Sequence, residues 1–333
     1  MGRAVSLQHI APSIACLPVG RPLDRYNLGT MRAHFATLLA TTFVLSCSTP
    51  ATESAARPAA RGVSASELST EKAALLKAYA RGGPEWVATR DAALRDPALA
   101  QFFVENLVLE LAKAYRALGG GDHARAMRAH QRALEELVAL PELSTPVLVT
   151  LLEVADPVGS TVAARALEEV GRPAVEPVVA LLASEEVETR RRAADLLGKL
   201  PHAGTAEARV RKQMIEVFGQ EPDWLARTAL ARSIGARGSR DSDVTPWRQA
   251  LQAGLLDADP AVAQASTEGL IALGDERAIP ILIDVLERSA RAGDMPRFQG
   301  AQRALVLLAR ESEKPSVEAW RQWWAKREAQ ARQ

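Results

Sequence analysis

The stretch TVAARALEEVGRPAVEPVVALLASEEVETRRRAADLLGKL, residues 161–200, decides the fold. Ala163, Ala166, Leu167 and Val170 recur at helical spacing. Gly171 ends that helix, and Pro173 stands where a second can begin without a free N–H. Val175, Val178, Val179 and Leu182 make the inner face of the second helix. After the polar turn Ser184-Glu185-Glu186, a third helix carries Ala193, Ala194, Leu196, Leu197 and Leu200. Each helix has one apolar stripe with alanines that permit close approach, so a pair alone leaves apolar surface uncovered. Stacked neighbours cover it.

The pattern recurs along the chain. Arg190 to Gly198 (RRRAADLLG) aligns without gaps on Arg227 to Gly235 (RTALARSIG), placing Leu197 opposite Ile234. Asp259 to Gly274 (DPAVAQASTEGLIALG) puts Leu270 in the same role, and Leu167 leads the series, at intervals of 30, 37 and 36 residues. RAIPILIDVLERS after Gly274 repeats PAVEPVVALLAS after Gly171, and Gln302 to Arg310 (QRALVLLAR) is a fifth copy.

The pattern from Asp259-Pro260-Ala261-Val262 through Ala272-Leu273-Gly274-Asp275 to Ala278-Ile279-Pro280 resembles HEAT repeats of the short bacterial type, over about residues 146–329. The resemblance implies an all-α fold, a right-handed α-solenoid of HEAT-like helical hairpins, and little about chemistry. The arginine that such repeats carry early in the first helix of a pair matches Arg190 and Arg227 but is Ala263 in the next copy, so no continuous ladder and no ligand role is assigned to it.

Composition agrees with this architecture. The 333 residues are 47% hydrophobic but only 5% aromatic, an Ala/Leu balance suited to helices, and no alternating Val/Ile/Thr/Tyr run bounded by Asn-Gly or Asp-Gly marks a strand. The 41 basic and 40 acidic side chains are interspersed, giving a formal charge of +1 and no large field of one sign. Nucleic acid is therefore a poor candidate partner.

Near the N-terminus, residues 32–47 (RAHFATLLATTFVLSC) read as an export signal. Arg32 and His34 open it, Phe35 to Ser46 form a short apolar run, and Cys47 ends it. The run is short for a membrane span. Its Val44-Leu45-Ser46-Cys47 ending resembles a bacterial lipobox, with Leu45 a less usual residue before the small one. That resemblance implies lipidation of Cys47 and anchoring to the outer membrane on its periplasmic face, Ser48 standing where an aspartate would signal retention. Met31 is the natural start of such a signal, and residues 1–46 are read as leader plus signal peptide. Residues 47–66, rich in Ala, Ser, Thr, Pro and Arg, read as a disordered tether.

Residues 67–145 read as a helical N-terminal segment without a clear period, and residues 146–329 as the solenoid with a Trp-rich C-terminal cap. In the segment, Asp96-Pro97 and Asp122 start helices, as does Ser144-Thr145-Pro146 at its end. Trp86, Phe102, Phe103 and Tyr115 read as core in preference to a pocket lining, and His123 and His130, seven apart on one face, as surface residues in preference to a metal pair.

Enzyme signatures are missing from the sequence: none of the five histidines precedes a glutamate, and HExxH, CxxC, GxxxxGK[ST] and GxSxG do not occur. No metal, cofactor or catalytic residue is assigned. The leading expectation is a non-catalytic scaffold for protein–protein interaction in the cell envelope, tethered to the membrane by the N-terminal lipid and engaging an envelope protein. Its candidate contacts are Arg209, Arg211 and Lys212 and the aromatic group Trp320, Trp323 and Trp324, whose main expected task is to cap the solenoid. The alternative is a ligand-binding protein or enzyme with a pocket between the 67–145 helices and the first repeats.

Overall fold

The computed structural model describes residues 65–154 and 156–332. The leader, Cys47 and the tether up to residue 64 lie outside the described residues. Within them the fold is all-α, without strands. Five helices precede the repeats: α1 (Ala65–Arg81), α2 (Pro84–Ala93), α3 (Pro97–Ala117), α4 (His123–Val138) and α5 (Pro141–Glu153).

Five hairpins follow, each a first helix and a second. They are α6 (Pro157–Val170) with α7 (Val175–Ala180), α8 (Val187–Lys199) with α9 (Glu207–Gln220), and α10 (Trp224–Gly238) with α11 (Thr245–Gly254). Then come α12 (Pro260–Leu273) with α13 (Ile279–Ala292), and α14 (Met295–Ala309) with α15 (Val317–Ala331). First helices pack on first helices of the next hairpin, α8 on α10 on α12 on α14, so the array is an α-solenoid. No described helix is long and apolar enough to cross a membrane.

Local chemistry sets the boundaries. Asp156, Asp223, Asp259 and Asp294 each accept a backbone N–H from the first turn of the first helix they precede, satisfying donors that the helix itself leaves free. Gly171 takes φ 75° where α6 stops, a conformation side chains resist, and Pro173 enters the short 3₁₀ turn before α7. The four equivalent positions Leu167, Leu197, Ile234 and Leu270 are all fully buried.

Two boundaries differ from the sequence reading. α5 begins at Pro141 and contains Pro146, so a helix runs through the expected junction at 145/146. Pro141 supplies a start without a free N–H, and the buried Ser144 hydroxyl donates to the Leu137 carbonyl (2.8 Å), anchoring the α4–α5 corner ahead of the Ser-Thr-Pro signal. The expected tether also overlaps the structure, since Ala65 and Ser66 already belong to α1.

The alignment of Gly198 with Gly235 has a packing cause. Both lie inside first helices at the crossing with the next first helix. A Cβ on Gly198 would stand 2.9 Å from the Ser233 hydroxyl, and one on Gly235 would fall on the Gly269 Cα with its carbonyl 3.2 Å away. Gly300, within α14, has nothing within 4 Å of an added Cβ. Gly235→Ala should therefore destabilise by about 1–3 kcal/mol through overpacking. Gly300→Ala should stabilise by about 0.5–1 kcal/mol through helix propensity. Urea denaturation of both variants checks this, and equal effects would contradict the close crossing.

Candidate interaction surfaces

Most of the arginines in the array are committed to holding hairpins together. Arg190, early in α8, donates from Nε and Nη2 to the Glu221 carboxylate at 2.7 and 2.8 Å, and from Nη1 to the carbonyls of Ser184 and Glu185 at 2.9 Å. Arg227, in the same place on α10, does the same to Asp257 (2.8 and 3.0 Å) and to the carbonyls of Glu221 and Pro222. Each receiving carboxylate also accepts the N–H two residues on, of Asp223 or Asp259, which fixes it ahead of the next first helix. The ladder stops where Ala263 replaces the arginine.

A second pair of ties runs along the second helices. Arg211 on α9 reaches Asp241 at 3.0 Å, and Arg248, at the equivalent place on α11, reaches Asp275 at 2.9 Å. Arg211, a candidate partner contact from the sequence, is thus placed as an inter-repeat tie. Arg209 is exposed and paired with Glu176 of α7, and Lys212 is exposed. The neighbouring run Arg190-Arg191-Arg192 is likewise engaged: Arg191 bonds Glu188 and Asp195, and Arg192 donates to the carbonyls of Leu152 and Val154 at the end of α5.

Arg237, at the end of α10, is 0% exposed. Its five donors all have acceptors: Nε and Nη2 meet the two Glu207 oxygens at 2.6 Å, Nη1 serves the carbonyls of Leu197 and Leu200, and Nη2 also serves that of Pro201. A fixed positive charge therefore sits on the last carbonyls of α8, where the helix dipole favours it. His202, Glu207 and Asp241 bring donor atoms within 4.8 Å of one another beside it, the spacing of a metal-binding group. Those carboxylates are already occupied, Glu207 by Arg237 and the Ala203 N–H, Asp241 by Arg211 and the Trp247 indole N–H at 2.9 Å. The donor chemistry fits an ion network better than a cation site. Sequence reading missed Arg237 because its partner Glu207 stands thirty residues upstream, beside Arg209 and Arg211, and nothing local to Arg237 points to it.

This network sets an acid response. Burial is the largest single influence and raises Glu207, Glu221, Asp241 and Asp257, but side-chain hydrogen bonds from Arg237, Arg190, Trp247 and Arg227 respectively, a backbone N–H on each and the neighbouring positive charges together outweigh it, lowering each carboxylate. Asp275 is lowered likewise, burial being offset by Arg277 and Arg248. Burial alone raises Glu153, and it raises Asp195 against opposing arginines. Groups with depressed folded values stabilise above their unfolded values, roughly 3.9–4.3, and lose that contribution as pH falls through the folded ones. The urea midpoint should thus fall steeply below about pH 4; a midpoint flat from pH 6 to about 3 would contradict the ladders.

At the C-terminus, Trp320 is fully buried while Trp323 and Trp324 are half-buried. Trp320 and Trp323 meet edge-on at 5.7 Å, with the Lys314 ammonium 5.8 Å over the first ring and the Arg327 guanidinium 5.6 Å over the second. Arg321 and Arg327 tie α15 to Glu287 and Glu276 of the preceding hairpin. This arrangement closes the apolar end of the array.

In the N-terminal helices, Tyr79, Trp86 and Phe103 form an interior cluster with centroids 5.2–5.8 Å apart. Burial pushes the Tyr79 phenol up to about 12. Tyr115 instead lines a groove of about 670 Å³ between α3, α4 and α6, with Met127, His130, Leu134, Thr161 and Arg165. Burial lowers the His130 pKa, its ring bonds the Leu111 backbone, and its Nδ1 has no partner among the described residues. His123 turns instead to the Leu118 carbonyl at 2.8 Å.

With this geometry in view, the family comparison has a definite footing: a HEAT-repeat model matches residues 145–235 and again residues 211–293. Residues 145–293, a little under half of the chain, are thus similar to HEAT repeats. The match covers the hairpins from α6 to α13, with α5 at its edge. No curated protein sequence matches the chain. Among solved structures, an engineered protein is 20% identical over 60% of this chain and 96% of its own, with a TM-score of 0.38. A mutant of Kap121p is 13% identical over 71% of this chain and 27% of its own, at 0.40. The complex of CpcE and CpcF of phycocyanin lyase from Nostoc sp. PCC7120 is 18% identical, covering 78% and 99%, at 0.30. Likenesses of this size carry no functional argument.

Proposed function

We propose that this protein is a non-catalytic docking scaffold, lipid-anchored through Cys47 to the periplasmic face of a bacterial outer membrane, whose HEAT array engages another envelope protein. The observation that carries this reading is the division of labour among its polar side chains. The arginines in the hairpin seams are used up in ties between neighbours, whereas Lys212, Glu216, Gln249 and Arg288 on the second helices are exposed. A row of second helices with such side chains is a surface for specific contacts with another protein. The lipobox resemblance and the tether composition support the anchor.

In-cell crosslinking of the tagged protein in its native host tests the proposal. Wild type should capture a specific envelope protein, and both Cys47→Ser and the reversal Lys212→Glu with Arg288→Glu should lose it. Self-crosslinks alone, or capture indifferent to both changes, would refute the scaffold reading.

A second reading rests on the groove beside His130. An imidazole whose pKa burial lowers and whose buried Nδ1 has no protein partner among the described residues, lining a groove with Leu134 and Met127, suits a small ligand with an apolar body and one hydrogen-bond donor. Thermal-shift screening with such compounds, repeated on His130→Phe, would support it by a stabilisation lost in the variant. The absence of any stabilising compound would remove it.

A further inference from the structure

One edge of the array carries exposed large apolar side chains in register. Val187, Trp224 and Met295 are the first residues of α8, α10 and α14, with exposures of 37%, 44% and 54%, and Leu225 and Leu256 beside them are exposed at 45% and 48%. The ladders show that these starts are neighbours. Arg190 of α8 holds Glu221 just ahead of Trp224, Arg227 of α10 holds Asp257 just after Leu256, and Arg297 of α14 donates to the Asp257 carbonyl at 2.9 Å. The apolar residues therefore form one row across four hairpins. Isolated exposed apolar residues need no explanation, but a row of five in register does.

The row has a sign. The three guanidiniums of this edge, Arg190, Arg227 and Arg297, are turned onto its own carboxylates and carbonyls. The carboxylates left without a guanidinium partner are Glu185, Glu186, Asp223 and Asp259, the last two capping helices. An anionic membrane or a nucleic acid would be repelled, and a second copy would bring the same acidic edge. A cationic apolar segment is complementary. Packed first helices lie roughly 8–10 Å apart, close to the rise of about 10.5 Å over seven helical residues, so a helix laid along the row offers an apolar side chain to each hairpin.

We propose that this edge docks a basic amphipathic helix of a partner protein, its apolar stripe on Val187, Trp224, Leu225, Leu256 and Met295 and its lysines or arginines facing the leftover carboxylates. The surface is distinct from the second-helix face and stands whether or not that face binds. The probe is a fluorescein-labelled helix of about 20 residues, with leucine at heptad core positions and lysine elsewhere, titrated with the purified full chain. Binding should be saturable, weaken with added salt, and fall at least about tenfold in Trp224→Ser with Leu225→Ser. Glu185→Lys with Glu186→Lys should weaken it too, whereas Lys212→Glu with Arg288→Glu on the second-helix face should not. Trp224 and Leu225 are exposed, so circular dichroism of the variant should match wild type.

Unchanged binding by a folded Trp224/Leu225 variant overturns the proposal. So does equal binding of a leucine–glutamate helix or of phosphatidylglycerol vesicles. Concentration-dependent self-association abolished by the same variant would also overturn it, because the row would then be a contact between copies.

Discussion

Replacing Arg237 by alanine should lower the unfolding free energy by about 3–5 kcal/mol, because it strands the buried Glu207 carboxylate without its partner. Five donors are lost at once, and the carbonyls of Leu197, Leu200 and Pro201 at the end of α8 lose their shared donor. Arg237→Lys should recover little, since an ammonium cannot reproduce the planar fork that meets both Glu207 oxygens at 2.6 Å. Arg237→Met combined with Glu207→Leu should recover much of the loss, because an apolar pair leaves no buried charge. Urea denaturation of these variants decides the matter. A double variant as unstable as Arg237→Ala would mean that the guanidinium acts through the α8 carbonyls and not through the ion pair.

Trp320→Ala should cost about 3–5 kcal/mol, the loss expected when a fully buried indole leaves a cavity. Trp320 is 0% exposed, whereas Trp324 is half-buried, so Trp324→Ala should cost less than about 1 kcal/mol. Trp320→Phe should be mild, because the Trp320 indole N–H has no hydrogen-bond partner among the described residues to lose. Calorimetry on the three variants separates a capping tryptophan from a surface patch: comparable losses at Trp320 and Trp324 would contradict the cap.

What the sequence conveyed and what it hid follow from the range of each signal. Helical spacing is local, so the stripes through Leu167, Leu197, Ile234 and Leu270, the stop at Gly171 and the caps at Asp96 and Asp122 were legible from residues a turn apart. The α5 start was misread because Ser144-Thr145-Pro146 imitates a helix opening, while the governing proline is Pro141. The inter-repeat ties escaped because each partner lies about one repeat away: Arg211 pairs with Asp241, Arg237 with Glu207. Basic residues close in sequence drew attention as a surface, yet a guanidinium's partner is set by stacking. A search for Arg and Asp or Glu 27–31 residues apart, somewhat less than the repeat interval, would have found both ladders. The exposed edge was illegible for a related reason, since Val187 and Trp224 look like ordinary helix-starting residues until stacking brings them into one row.

Both the surfaces and the energetics rest on the molecule being a row of hairpins coupled through their neighbours. Hydrogen exchange on wild type and Arg237→Ala tests that claim directly. Protection should be lost from α8 to α11 and kept in α3, α4, α14 and α15, because the damage reaches only adjoining hairpins. Equal loss of protection along the whole described chain would contradict it.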